Sequence, residues 1–178
     1  MELIVEGIRE ALARLVALDP DLLDAASASL AISGTATALS VVTGVPLGAA
    51  LGLGRFRGRG LLLTLANTGM GFPPVVVGLV VAVLIWRSGP FGQLEWFCTR
   101  QAMIAAQYLL AAPTVIGLTA VAVQSLDPML RVQLRSLGAT PTQIIWILVR
   151  EARLPILTAA MAGFGAVISE IGASLMVG

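Results

Sequence analysis

Few residues in this chain could do chemistry, and their types exclude more than they allow. The 178 residues contain no histidine, and all eleven basic residues are arginines. A nucleotide-hydrolysing phosphate loop ends in lysine followed by serine or threonine, so these residues hold no such site. Serine–histidine and cysteine–histidine catalysis fail for want of the base. Cys98 is the single cysteine, which excludes an internal disulfide and leaves no basis for a cysteine- or histidine-based metal site. It reads as a small residue in a loop. Asp127 and Glu151 are too isolated for an acid–base pair, and read as a helix cap and a partner for Arg150 or Arg153. The chain is not expected to be an enzyme.

Glu170 is different, because it is the one formal charge inside a long apolar stretch. Counted from Leu154, it lies about 24 Å along a helix rising 1.5 Å per residue. An unpaired carboxylate there would cost a few kcal/mol, so it should face protein and have partners. Two readings stand: a gate or pathway residue, or an acceptor of backbone amides and hydroxyls, with Ser169 and Ser174 near in sequence. A fixed carboxylate would repel an anion, which argues against direct contact with an anionic substrate.

The elements that place these residues belong to a membrane. The chain is 57% hydrophobic and 12% charged, with mean hydropathy +0.93; ordinary soluble domains carry about a quarter charged residues. The net charge of +1 offers no field for nucleic acid. Spans are expected at about 29–53, 61–86, 102–124 and 154–177, each exceeding the roughly 20 residues that cross a bilayer core. Before them, residues 1–26 form an amphipathic segment. Within it, Leu3, Ile4, Ile8, Leu12, Leu15 and Val16 alternate at helical spacing with Glu6, Arg9, Glu10 and Arg14. This segment should lie on the outer membrane surface or pack on the bundle; the first span after it begins too late, is too long and follows too acidic a region to be a cleaved signal.

Short cytoplasmic loops retain positive charge. Arg55, Arg57 and Arg59 follow the first span, and Arg131, Arg135, Arg150 and Arg153 lie between the third and fourth, together seven of the eleven basic residues. Alternating spans put both connections on one side. The expected orientation has the N-terminus outside and residues 125–153 in the cytoplasm.

That polar island, Ser125 to Pro155, has its own grammar. Asp127 or Ser125 caps a helix beginning at Pro128, which should stop at Gly138. A second helix restarts with Thr140 as cap, Pro141 at its first position and Gln143 completing a capping box. Two short helices with a tight bend make a knob that another protein could grip.

Within the spans, Gly44, Gly48 and Gly52 repeat every four residues, extended backwards by Ser40 and Ala36. Such a bare face lets another helix approach closely. Pro46 should bend the first span, Pro113 the third, and Gly69-Met70-Gly71-Phe72-Pro73-Pro74 should break the second. Broken backbone is tolerated where it faces protein or a water-filled cavity, which suits a moving, pathway-lining bundle better than an anchor.

Leu137-Gly138-Ala139-Thr140-Pro141-Thr142-Gln143, followed by a hydrophobic helix and Leu154-Pro155, resembles the cytoplasmic coupling motif of ABC importer permeases. Gly71 to Gly78, Arg150-Glu151-Ala152-Arg153, Ser169 to Ala173 and Met176-Val177-Gly178 resemble the tungstate and molybdate branch. The likeness covers most of the chain from about Ser27. Two features depart from it: Val132, Gln133 and Leu134 stand where the family has glutamate–alanine–alanine, and the stretch to Leu154-Pro155 is one turn longer than the general pattern.

The resemblance implies an all-α integral membrane protein with a type I ABC importer transmembrane domain over 27–178. Four spans are present, and the chain is expected to be C-terminally truncated before a last helix. Two copies would pair as a homodimer in the lipid of a bacterial or archaeal cytoplasmic membrane. ABC ATPase subunits would dock below, carrying ATP and magnesium, and an oxyanion-binding protein would dock outside; this chain holds no cofactor. Leu137, Gly138, Ala139, Thr140, Pro141 and Gln143, with Arg135 and Arg150, would couple to the ATPase. Phe72, Pro73, Pro74 and Glu170 would line or gate the pathway. The implied cargo is an oxyanion, tungstate before molybdate or sulfate. A self-contained channel or carrier, or a membrane scaffold, is the alternative; carriers usually show several midplane ionisable groups or repeated halves, and this chain has one buried acid and no evident repeat.

Overall fold

A computed structural model describes residues 19–177 and, before them, Glu6, Gly7, Arg9 and Ala17. The expected helix over Glu2–Leu18 falls almost wholly outside the described residues. Among those described, the regular structure is helical throughout.

Helix α1, Pro20–Leu53, has 34 residues and is about 51 Å long. Asp19 starts it by accepting the Asp21 amide at 3.1 Å, and Pro20 sits where no amide is needed. It therefore begins well before Ser29 and runs without interruption across residues 26 and 27. It also continues through Pro46. Its hydroxyls bond back onto their own helix, Thr35 to the Ala31 carbonyl, Ser40 to that of Ala36 and Thr43 to that of Leu39. These three hydroxyls are thus satisfied without water, whereas the buried Thr37 Oγ1 has no hydrogen-bond partner.

The second expected span divides where Gly69 to Pro74 was expected to break it, into helix α2, Arg59–Met70, and α3, Pro74–Ile85. The structure turns by 106° between them. The cause is local: Pro73 disfavours a helical Phe72, and Pro73 and Pro74 lack the amides that would continue the ladder. A 3₁₀ turn at Gly92–Leu94 leads to α4, Arg100–Gln124, which passes through Pro113. Then come α5, Pro128–Ser136, and α6, Pro141–Glu151. The fourth expected span is also divided, into α7, Arg153–Ile168, and the short α8, Gly172–Val177. The 16 residues of α7 reach about 24 Å, short of a bilayer core of about 30 Å. By length and composition, α1 and α4 can each cross a membrane, and the bent α2–α3 pair would supply a third crossing.

Helix α4 is the centre, packing against α1, α2, α3, α7 and α8. Ala102, Ala106, Ala111, Val115 and Ala120 are fully buried along it. Small residues dominate, so helices meet backbone to backbone instead of through bulky side chains. Large apolar side chains such as Val42, Leu61, Val83, Val121 and Leu154 point outward, as suits a lipid surround.

Candidate functional site

Three groups of residues position the candidate chemistry. The first is the knob between α5 and α6. Asp127 accepts the Met129 amide at 2.8 Å and starts α5. At its end the Gly138 amide bonds the Arg135 carbonyl and the Ala139 amide bonds that of Leu134, both at 3.0 Å. This is a Schellman ending, and it requires the positive φ of 79° found at Gly138. Two residues later the capping box closes: the Thr140 amide donates to Gln143 Oε1 at 2.8 Å, and the Gln143 amide to Thr140 Oγ1 at 3.4 Å. Opposite the knob, Ile144 and Leu148 are buried, which fixes the face that α6 presents.

The result is a rigid, outward projection. Leu137 is 83% exposed, an unusual place for a leucine with no lipid-length helix around it. Gly138, Thr140, Pro141 and Gln143 are exposed beside it, and Ala139 is half-buried. The two arginines expected with this knob are not brought together. Arg135 lines a recess with Arg55, Asp127 and Arg131. Arg150 lies 5.2 Å over the Trp146 ring, in a separate groove with Val41 and Arg153.

The second group joins the two helix breaks. Phe72 and Pro73 are exposed at the 106° bend, and Pro74 is half-buried. Behind the bend, a Cβ on Gly69 would lie 2.9 Å from the Pro113 ring, so the hinge rests on the proline of α4. The second break, Ser169–Ile171, sits against the helix that leaves the bend. Glu170 Oε1 accepts the Gly172 amide at 2.7 Å and the Ala173 amide at 3.3 Å. A Cβ on Gly172 would meet Val75 Cγ2 at 2.8 Å, and one on Gly78 would meet Ala173 Cα at the same distance. Phe72, Pro73, Pro74 and Glu170 thus flank one α3–α8 contact.

The third group is the glycine stripe. A Cβ at Gly44 would stand 3.0 Å from Val115 Cγ1, and one at Gly48 would stand 2.5 Å from the Ile116 carbonyl. Gly52 faces Val123 and the Ala120 carbonyl in the same way. All three face α4.

Two polar links were missed in the sequence. Gln107, 5% exposed, donates from Nε2 to Ser174 Oγ at 3.3 Å, tying α4 to α8. Thr43 Oγ1 and the Tyr108 hydroxyl are 3.1 Å apart, tying α1 to α4. The available signal was a lone amide and a lone phenol inside an otherwise apolar stretch, since polar groups in membrane helices usually serve inter-helix bonds. Among the described residues no cluster of acids and cysteines could hold a metal ion.

A helical subunit with apolar crossings, two adjoining breaks and an exposed helix–turn–helix knob is built like a transport component. The chain belongs to the family of binding-protein-dependent transport system inner membrane components, whose pattern matches residues 44–178. It is 45% identical over 150 residues to a probable anion ABC transporter permease protein of Haloferax volcanii, covering 84% of this chain and 65% of that relative. It is 36% identical over 178 residues to the tungstate uptake system permease protein TupB of Peptoclostridium acidaminophilum, all of this chain and 78% of the relative. Against the molybdate/tungstate transport system permease protein WtpB of Pyrococcus abyssi it is 31% identical over 161 residues, 89% of this chain and 62% of the relative. The chain thus spans just under two thirds of the Haloferax and Pyrococcus relatives.

Proposed function

We propose that the chain is the permease subunit of an ATP-driven importer that moves an oxyanion, tungstate foremost, across the cytoplasmic membrane. The observation that carries this reading is the exposed knob from Leu137 to Gln143, whose Schellman ending and capping box spend every local hydrogen bond on holding a protruding shape. Such a projection offers a separate protein a fixed shape to grip. On the arginine-rich side, which the charge rule assigns to the cytoplasm, it would seat in a separate ATPase subunit. That partner supplies the energy this chain has no phosphate loop to harvest.

Coupling residues are then Leu137, Gly138, Ala139, Thr140, Pro141 and Gln143, with Arg135 and Arg150 on the flanks. Two copies would enclose the pathway, and an outer binding protein would deliver the oxyanion, with tungstate favoured because relatives so described align along the whole chain. Phe72, Pro73 and Pro74 serve as the movable constriction. Glu170, whose carboxylate already holds two amides, braces that constriction and does not touch an anion. Tilting of the knob on ATP binding would travel along α6 and α7 to the α3–α8 contact, alternating access.

The test is replacement of Gly138 by tryptophan in the reconstituted complex with its ATPase. ATP hydrolysis should persist while tungstate uptake falls at least tenfold; uptake at the parental rate would sink the assignment of the knob.

A further inference from the structure

The end of α1 on the knob side carries a feature that coupling does not use. The last carbonyls of a helix lack partners in their own helix, and two arginines from elsewhere supply them. Arg59 Nε donates to the Leu51 carbonyl at 2.6 Å, and Arg131 donates from Nη1 to the Leu53 carbonyl at 3.2 Å. Both guanidinium groups are thereby held at one open recess of about 770 Å³, lined also by Arg55, Arg57 and Phe56. No carboxylate lines it. The adjoining recess adds Arg135 and one acid, Asp127, whose Oδ1 is already engaged by the Met129 amide. The Nε of Arg131 is covered and has no hydrogen-bond partner.

Four like charges gathered around one cavity repel each other, and an anion seated among them would offset that repulsion. Planar guanidinium forks match the oxygens of a phosphate. Phe56, 47% exposed at the same recess, adds an apolar surface beside the charges. We propose that this recess binds a phosphate group, presented by the headgroup of an anionic phospholipid. Its place at the end of a long apolar helix is where headgroups lie, and basic clusters there attract anionic lipid. Once bound, the headgroup ties the ends of α1, α2 and α5 together. The leaflet rests on the orientation proposed above; the site does not.

Native mass spectrometry of the purified full chain, offered phosphatidylglycerol, phosphatidylcholine or inorganic phosphate separately, tests this without ATP or transport. Failure of the permease reading therefore leaves the result unaffected. Phosphatidylglycerol should be retained over phosphatidylcholine, and each arginine removed should weaken it about fivefold. Arg59→Gln with Arg131→Gln should show this, and so should Arg55→Gln with Arg57→Gln, whose side chains hold no helix carbonyl and so guard against misfolding. Arg153→Gln should bind as the parent. Inorganic phosphate retained without lipid preference, and lost in both pairs, keeps the phosphate site and makes its source the free ion. Retention of phosphatidylglycerol unchanged in both pairs, or lost equally in Arg153→Gln, overturns the proposal.

Discussion

Glu170 accepts the amide of Gly172 at 2.7 Å, so the one acid of the apolar C-terminal stretch is the start of a new helix turn and not a free charge. The carboxylate explains why α7 stops at Ile168: the chain turns so that Oε1 can reach two amides that follow it. A cap of this kind stabilises by about 0.5–2 kcal/mol.

Replacing Glu170 by leucine should lower the thermal stability of the purified protein by that amount and slow uptake. Glutamine keeps an acceptor and should retain most of both. Should Glu170→Gln abolish uptake at parental stability, the carboxylate acts on the cargo or a proton, and the bracing role fails.

Gly138 makes a sharper separation. At φ 79°, a residue with a Cβ pays about 1–2 kcal/mol, whereas asparagine enters that region more easily. A Cβ there meets nothing within 4 Å, so the cost is conformational alone. Gly138→Asn should keep ATP-coupled uptake near parental, and Gly138→Val should lose most of it. Equal activity in the two would mean that the bend is not held during transport.

The knob was legible because capping is written in adjacent residues. Asp127-Pro128, Gly138 and Thr140-Pro141-Thr142-Gln143 each specify their own geometry, and each forms as expected. The glycine stripe was legible too, but its partner was not; nothing in Gly44, Gly48 and Gly52 names Val115, Ile116 or Thr119. The break of 61–86 was legible at Gly69 to Pro74, but its 106° angle was not, and the break of 154–177 at Ser169–Ile171 was missed for the same reason. Hydropathy counts residues along the chain, while Pro73 and Glu170 redirect it, and the α3–α8 contact that accepts the new direction joins residues far apart in sequence.

Gly48 and Gly34 test the packing of α1 on α4 as a pair. A Cβ at Gly48 would fall 2.5 Å from the Ile116 carbonyl and 2.7 Å from Thr119 Cβ, while one at Gly34 meets nothing within 4 Å. Overpacking of a tight site costs about 1–3 kcal/mol. Gly48→Ala should therefore reduce thermal stability by several degrees, and Gly34→Ala should leave it equal or slightly raised. Identical melting of both variants would show that α1 and α4 are not held at this distance.

The link between the two helix breaks is open to a rescue experiment. A Cβ on Gly172 would approach Val75 Cγ2 to 2.8 Å and Glu170 Oε1 to 3.0 Å. Gly172→Ala should thus push α8 off α3 and loosen the cap at once, costing about 1–3 kcal/mol. Val75→Ala alone removes methyls from a side chain that is 47% exposed and should cost less. Combined, the shortened Val75 makes room for the new methyl, so the double variant should be more stable than Gly172→Ala alone. Residues in contact couple by about 0.5–3 kcal/mol in such cycles, and independent ones add. Strict additivity, in stability and in uptake alike, would mean that the bend at Pro73 and the break at Glu170 move separately, and Glu170 would lose its role as the brace of the constriction.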